Sequence, residues 1–258
     1  MDDNKGKRES KINELIRKYN IDLEKLKEEQ TKLAKGLEIK DKIDFSLADR
    51  FGAIDNAFVG NRMLCCIVVC NKEYEIIDRA YVFEKVRFPY IPGFRNYREL
   101  LPMISAFEKL SEKPDVLLVP GQGITHQRLG LASHLGLSIG VPTIGVSNFV
   151  VECDVRGEDI LRNNKKIGKI LLSKEGSNPL YISPGNLISV NSAYELCSGM
   201  INPPHKRPEP LHLAAKYSKE VLKEVAGNGS SWMRLKLYFK MYWNILAMEK
   251  IKKCLWVD

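Results

Sequence analysis

The sequence predicts an α/β fold in which a mixed sheet is flanked by helices. Three strand-like runs separated by Gly- and Asn-containing turns predict an antiparallel meander. These runs are residues 50–59, 62–70 and 75–86. A later apolar run at 115–119 is followed by a helix pattern and by a second strand that begins after Pro142. This order of strand, helix and strand is typical of neighbouring parallel strands covered by helices.

Two amphipathic helices are predicted before the first strand. Apolar residues recur at helical spacing in the first of them, at Ile12, Leu15, Ile16 and Tyr19. Asp22 can cap the second helix, because an Asp side chain accepts a hydrogen bond from the free backbone N–H groups of the first turn. We expect these helices to pack outside the sheet, with residues 1–20 either poorly ordered or a helical extension.

The composition is that of a soluble globular protein with a basic surface. The chain has 258 residues and a formal net charge of +8, which favours a polyanionic partner, nucleic acid before membrane. The six cysteines form no C-x-x-C pair, so they are interpreted as free thiols of a reducing compartment. The polar N-terminus does not resemble a signal peptide. We therefore expect a cytoplasmic protein.

A Gly-rich turn follows the apolar strand at 115–119. It consists of Pro120, Gly121, Gln122 and Gly123. Ligands of open α/β sheets bind outside the carboxyl ends of the strands, so this turn is a candidate ligand site. A plain strand-to-helix connection that uses glycine for its geometry is the alternative interpretation.

Two further segments carry candidate functional residues. Asp55 lies within an apolar strand, where an acidic residue needs a partner, a metal or an exposed face. Residues 88–94 hold two prolines and a glycine, which predicts a stiff loop with an aromatic tip ahead of a helix that begins near Tyr97.

Several stretches of this chain resemble the endonuclease V family, whose members are metal-dependent nucleases that recognise deaminated purines. The resemblance is carried by V-P-G-Q-G-I-T-H at 119–126, G-L-A-S-H-L-G at 130–136, P-T-I-G-V at 142–146, and P-Y-I-P-G-F-R-N-Y-R-E at 89–99. Y-I-S-P-G at 181–185 and R-P-E-P at 207–210 extend it. The resemblance covers roughly residues 20–226.

The resemblance implies a ribonuclease H-like fold and a nucleic-acid site. It assigns Asp55 and Glu99 to a Mg²⁺ site that catalyses phosphodiester hydrolysis. Tyr90 corresponds to the tip of a wedge that enters the duplex beside the lesion. The implied nucleic-acid contacts are Tyr90, Ile91, Pro92, Gly93, Gly121, Gly123, His126, Gly130 and Leu131.

The chain departs from the family pattern at its chemistry. Pro120 stands where the family has a metal-binding Asp, Asn148 where it has a catalytic Lys, and Asn186 where it has a His that the resemblance makes catalytic. Arg95 replaces an apolar residue of the base pocket. Asp115 lies ~16 Å back along the strand and cannot substitute, whereas Asp154 or Glu152 would have to swing in from a later loop. These departures predict an incomplete, weak Mg²⁺ site.

The expected organisation is an endonuclease V-like domain at 1–226 and a linker with a basic aromatic tail at 227–258. The tail has three interpretations: a helix docked on the domain, an arm for nucleic acid or a protein partner, or an interfacial membrane helix. Its longest uncharged run, 241–248, is too short to span a bilayer.

Three functions remain open at this point. The first is nucleic-acid binding, to DNA or RNA with damaged or distorted sites, with weak or lost cleavage. The second is an active magnesium-dependent endonuclease of DNA repair or inosine-RNA processing that uses compensating acids. The third is a non-catalytic interaction subunit.

Overall fold

A nine-stranded mixed sheet forms the centre of the structure, a computed structural model that describes residues 2–227. The strand order is β3-β2-β1-β4-β5-β9-β8-β7-β6. The strands are β1 (Phe51–Val59), β2 (Arg62–Cys70), β3 (Ile76–Lys85), β4 (Val116–Pro120), β5 (Thr143–Ser147), β6 (Asp154–Arg156), β7 (Asp159–Arg162), β8 (Lys165–Leu171) and β9 (Leu180–Asn186). The helices are α1 (Asp2–Lys18), α2 (Leu23–Ala34), α3 (Arg95–Glu108), α4 (Leu131–Ile139), α5 (Val190–Gly199) and α6 (Glu209–Gly227).

The predicted meander and the predicted parallel strands are both confirmed. Strands β1, β2 and β3 pair antiparallel in sequence order. Strand β4 pairs parallel with β5, as the strand–helix–strand pattern indicated. It also pairs parallel with β1, which the sequence did not predict. Strand β9 then joins β5 antiparallel, and β8, β7 and β6 extend the sheet as an antiparallel wing.

The sheet has a buried core on each face because alternate residues of a strand point to opposite sides. Along β1, Phe51 and Ala53 belong to the core that includes Ala214 of α6. The next residue, Ile54, belongs to the other core, with Met103 of α3 and Leu135 of α4. Helices therefore cover both faces near β1 and β4.

The helix boundaries follow local chemistry. The Asp22 side chain accepts a hydrogen bond from the Lys25 backbone N–H at 3.0 Å, so the predicted cap of α2 is confirmed. Helix α3 begins at Arg95, slightly before the predicted start near Tyr97. Gly227, the expected first residue of the linker, is the last residue of α6, and the predicted tail lies outside the described residues. Among the described helices, none combines the length and the apolar character needed to cross a membrane.

Candidate nucleic-acid interface

The carboxyl ends of β1, β4 and β5 meet at one edge of the sheet. Ala53 of β1 pairs with Leu118 of β4, and Asp55 and Pro120 each lie two residues farther along their strands. Pro120 in turn pairs with Val146 of β5. This edge is where the sequence predicted the site.

Asp55 is half-buried and faces helix α6. Burial raises the pKa of its carboxyl group, and three neighbours oppose that rise: Ser218 donates a hydrogen bond, while Arg207 and Lys219 contribute positive charge. The net direction is upward because desolvation of the charged form outweighs these contacts. The charged form of Asp55 is therefore held at an energetic cost.

Glu99 is buried on the α3 side, and its carboxylate already has three donors. The Arg95 Nε donates to Oε1 at 2.6 Å and the Arg95 Nη2 donates to Oε2 at 2.8 Å. The Asn56 Nδ2 donates to Oε2 at 2.9 Å. Only 3% of the Glu99 side chain is exposed, so these contacts compensate for the loss of water.

Arg95 joins Glu99 to the end of β4. Its Nη1 donates a hydrogen bond to the Pro120 carbonyl oxygen at 2.9 Å. Burial lowers the pKa of the Arg95 guanidinium, but the charge and hydrogen bonds of Glu99 outweigh burial and raise it. The guanidinium is thus a permanent cation between the buried carboxylate and the strand end.

Asp55 and Glu99 approach the edge from opposite faces of the sheet. Asp55 and its neighbour Asn56 point to opposite sides, and only Asn56 is hydrogen-bonded to Glu99. Burial is the main cause that raises the pKa of the Cys65 thiol, and the negative charges of Glu99 and Asp55 add to it. Each carboxyl group has its own partner, Ser218 for Asp55 and Arg95 for Glu99.

The residues at this edge do not fit a Mg²⁺ site. Mg²⁺ requires hard oxygen ligands in near-octahedral geometry, whereas both Glu99 oxygens are bound by Arg95. Pro120 supplies no side-chain oxygen. Asp115, at the other end of β4, is bound to Arg50 at 2.8 Å, and Asp154 is exposed on β6.

The loop at residues 86–94 presents an aromatic tip between buried anchors. Tyr90 is 57% exposed, and Pro92 is exposed as well. Ile91 and Phe94 are buried, at 3% and 4% exposure. The tip is therefore available to a partner while the adjacent residues attach it to the domain.

Several polar contacts fix the shape of this loop. Gly93 has a φ of 79°, a left-handed conformation that suits glycine. Its carbonyl oxygen accepts hydrogen bonds from Gln30 Nε2 at 3.2 Å and from Arg128 Nη2 at 3.4 Å. Arg98 Nη1 donates to the Phe88 carbonyl at 2.8 Å. The tip is held from both sides.

The Gly-rich turn packs tightly against the neighbouring strands. The Gly121 N–H donates to the Val146 carbonyl at 3.0 Å, and the Gly123 N–H donates to Ser183 Oγ at 2.9 Å. A Cβ on Gly123 would collide with the Pro184 carbonyl, and one on Gly130 would collide with the Gln122 carbonyl. Leu131 is buried, so this segment packs beneath the site and is not exposed at its surface.

His126 lies beside the turn as a neutral imidazole. Burial, followed by the charges of Arg128 and Arg162, lowers its pKa to about 4. Its Nδ1 accepts a hydrogen bond from the Arg128 backbone N–H at 3.2 Å. At neutral pH His126 therefore offers no positive charge to a phosphate group.

The two asparagines assigned to catalytic positions lie at opposite ends of β5. Asn148 directly follows Ser147, next to the turn at Pro120. Asn186 pairs with Thr143, at the start of β5, and its Oδ1 accepts the Glu38 backbone N–H at 2.9 Å. The assignment of Asn186 to the catalytic cluster is wrong, because β9 runs antiparallel to β5 and carries its last residue away from the site.

The sequence did not indicate that Asn56 and Ser218 belong to this site. It also did not indicate that Arg95 binds Glu99. The Arg95–Glu99 ion pair could have been predicted, because residues four apart on a helix face each other and opposite charges there form ion pairs. Asn56 and Ser218 act through contacts across the fold that no local pattern indicates.

Comparisons with known proteins agree with this architecture. Residues 31–216 match the family model of endonuclease V. The chain is 39% identical over 180 residues to endonuclease V of Thermosipho melanesiensis, covering 66% of this chain and 79% of that protein. It is 33% identical over 212 residues to endonuclease V of Archaeoglobus fulgidus, covering 80% and 96%.

Solved structures give the same correspondence. The catalytic domain of human endonuclease V has a TM-score of 0.73 at 27% identity, covering 80% of this chain and 98% of that one. An endonuclease V from Bacillus subtilis has a TM-score of 0.75 at 26% identity, covering 81% and 95%. Ciona intestinalis endonuclease V, crystallised with a 24mer DNA containing an inosine followed by a ribo-adenosine, shares the fold with a TM-score of 0.70 at 23% identity, covering 79% and 98%.

Proposed function

Since the chain belongs to the endonuclease V family, we propose that it binds DNA or RNA at deaminated or distorted positions and that its cleavage activity is weak or lost. The binding half of this proposal is supported by the Ciona relative, which was crystallised on inosine-containing DNA. The other half depends on the replaced groups at the sheet edge.

The observation that carries the proposal is the position of the Arg95 guanidinium. Two-metal hydrolysis requires carboxylate oxygens that converge on two cations, one to activate water and one to stabilise the leaving oxygen. Here Arg95 binds both oxygens of Glu99 and the carbonyl of Pro120. A divalent ion would have to displace the Arg95 guanidinium from Glu99. Pro120 would not provide a carboxylate ligand to that ion.

The loop tip supports binding without requiring cleavage. Unstacking a base costs free energy, and a rigid apolar or aromatic wedge offsets that cost by contact. Tyr90 and Pro92 are exposed on a loop that Gly93, Arg98 and Arg128 hold in place. The net charge of +8 supplies a general attraction to phosphates.

The test compares binding with nicking on one preparation of the full chain. Fluorescence anisotropy would measure affinity for duplex DNA and single-stranded RNA, each with and without one inosine. A gel assay in millimolar Mg²⁺ would measure nicking of the same strands. We expect binding that favours the inosine strands and nicking no faster than in Asp55→Ala protein.

Two results would contradict the proposal. Rapid nicking by the wild type that Asp55→Ala abolishes would mean that the chain is an active endonuclease with compensating ligands. Equal, weak affinity for all strands at low salt would mean that the wedge loop recognises nothing in nucleic acid, and would favour an interaction subunit.

A further inference from the structure

We propose that His205, Glu209 and His212 form a binding site for a divalent transition metal ion of the zinc class. Each residue offers one ligand atom, and the ligand atoms all lie within 4.8 Å of one another. Among the side chains that the structure describes, these three form the group of potential metal ligands with such spacing. Two imidazoles and one carboxylate are ligands that suit Zn²⁺ and related ions and do not suit Mg²⁺.

The chain brings these residues together through the start of helix α6. Glu209 is the first residue of the helix and His212 lies three positions later, so their side chains share one face. A Glu and a His three residues apart on a helix are a known pair of metal ligands in helical proteins. His205 reaches the same face from the segment before the helix, where its backbone N–H donates to the Asn202 carbonyl at 2.9 Å.

The three side chains already contact one another. His205 Nδ1 lies 2.7 Å from Glu209 Oε2, and the His205 and His212 rings stack at 3.6 Å between centroids with an interplanar angle of 13°. Metal–nitrogen bonds lie in the plane of the imidazole ring, so parallel rings cannot both direct a lone pair at one ion. One ring must turn about its side-chain bonds, which the half-buried positions of His205 and His212 permit.

This site lies at the start of α6, on the N-terminal side of Ser218. Glu209 precedes Ser218, the partner of Asp55, by a helical rise of ~13.5 Å. Glu209 is only 7% exposed, and its backbone N–H donates to the Met200 carbonyl at 2.8 Å. An ion held here would therefore fasten the segment before α6 to the first turns of that helix. Three protein ligands would leave the fourth position of a tetrahedral ion to water.

The experiment titrates ZnCl₂ and, separately, CoCl₂ into chelator-treated full-length protein. We expect one Zn²⁺ per chain by calorimetry and a rise in the thermal midpoint, because an ion that binds the folded state stabilises it. Co²⁺ should give visible d–d absorption without the intense near-ultraviolet band of thiolate ligation, which separates this site from the cysteines. MgCl₂ should produce neither effect.

Matched variants locate the ion. His212→Gln and Glu209→Gln should each weaken Zn²⁺ binding at least tenfold and abolish the thermal shift, while Glu220→Gln, the same chemical change on the exposed part of α6, should leave both unchanged. Unaltered far-ultraviolet circular dichroism would confirm that the variants fold. The proposal is overturned if Zn²⁺ does not bind at one per chain, if the two cluster variants bind it as tightly as the wild type, or if the cobalt spectrum reports thiolate ligands.

Discussion

The Arg95 guanidinium donates to both carboxylate oxygens of Glu99, through Nε at 2.6 Å and Nη2 at 2.8 Å. The pair spans one turn of helix α3 and lies against the carboxyl end of β4, because Arg95 also donates to the Pro120 carbonyl. A fixed organic cation therefore neutralises a buried carboxylate at the sheet edge. This arrangement has consequences for stability and for chemistry that can be measured separately.

Arg95→Leu should destabilise the domain by about 2–3 kcal/mol at neutral pH, because Glu99 would remain buried with its charge uncompensated. Chemical denaturation of the wild type and the variant measures this loss. Adding Glu99→Gln to Arg95→Leu should recover most of it, since the amide carries no charge and still accepts from Asn56. A double variant as unstable as Arg95→Leu would contradict the charge-compensation account.

Restoring cleavage should require the removal of Arg95 as well as the return of missing groups. Pro120→Asp with Asn148→Lys should stay inactive while Arg95 holds Glu99. Adding Arg95→Leu should release Glu99 and raise Mg²⁺-dependent nicking of an inosine strand at least ~10-fold, since groups of a metal site act as a unit. Adding Asn186→His should have no effect, because that residue lies at the other end of β5.

The control for this series is Asp55→Ala in the triple variant, which should abolish any gained nicking. Equal nicking by the variants with and without Arg95 would show that the guanidinium does not compete with a metal ion.

Tyr90→Ala should weaken binding to an inosine-containing duplex by about 1–3 kcal/mol if the ring stacks on a base. Tyr90→Phe should retain most of the affinity, since stacking needs the ring and not the hydroxyl. Leu47→Ala, at a site that is 77% exposed, is the matched surface control and should bind as the wild type does. A salt titration should give the same slope for Tyr90→Ala and wild type, because Tyr90 neutralises no phosphate.

Asp55→Asn should raise the thermal midpoint at neutral pH. The folded-state pKa of Asp55 lies above its unfolded value near 3.8, chiefly through burial, so its contribution to stability is fully present below the unfolded value and is lost as pH rises through the folded one. The gain from the variant should therefore vanish in strong acid and reach its full size above the folded pKa. Thermal melts from pH 3 to pH 8 measure it, and an equal gain at every pH would contradict it.

The strands near the site followed from the sequence because local patterns determine them, whereas the pairing of β1 with β4 did not. Alternating and continuous apolar runs, turn residues and Pro142 indicated β1 to β5, and Asp22 indicated the start of α2. The edge at Asp55 and Pro120 followed as well, since the carboxyl ends of neighbouring parallel strands meet.

The sequence could not predict which side chains of different helices and strands contact one another. The assignment of Asn186 failed because β9 runs antiparallel to β5, so Asn186 lies level with the start of β5. The burial of Asp55 against Ser218 depends on where α6 packs, which local periodicity leaves undetermined. The H-x₃-E-x₂-H spacing at His205, Glu209 and His212 was visible in the sequence, but only the fold brings the first histidine onto the helix face of the other two.

The contact of Gly123 with Ser183 and Pro184 has an evolutionary consequence. Because β9 determines the shape of the turn and leaves no space for a side chain on Gly123, the architecture of the edge does not depend on which residue occupies Pro120 or Asn148. Those positions can therefore change without displacing the turn. Gly123 has no such freedom, so selection for a folded product alone is enough to keep it.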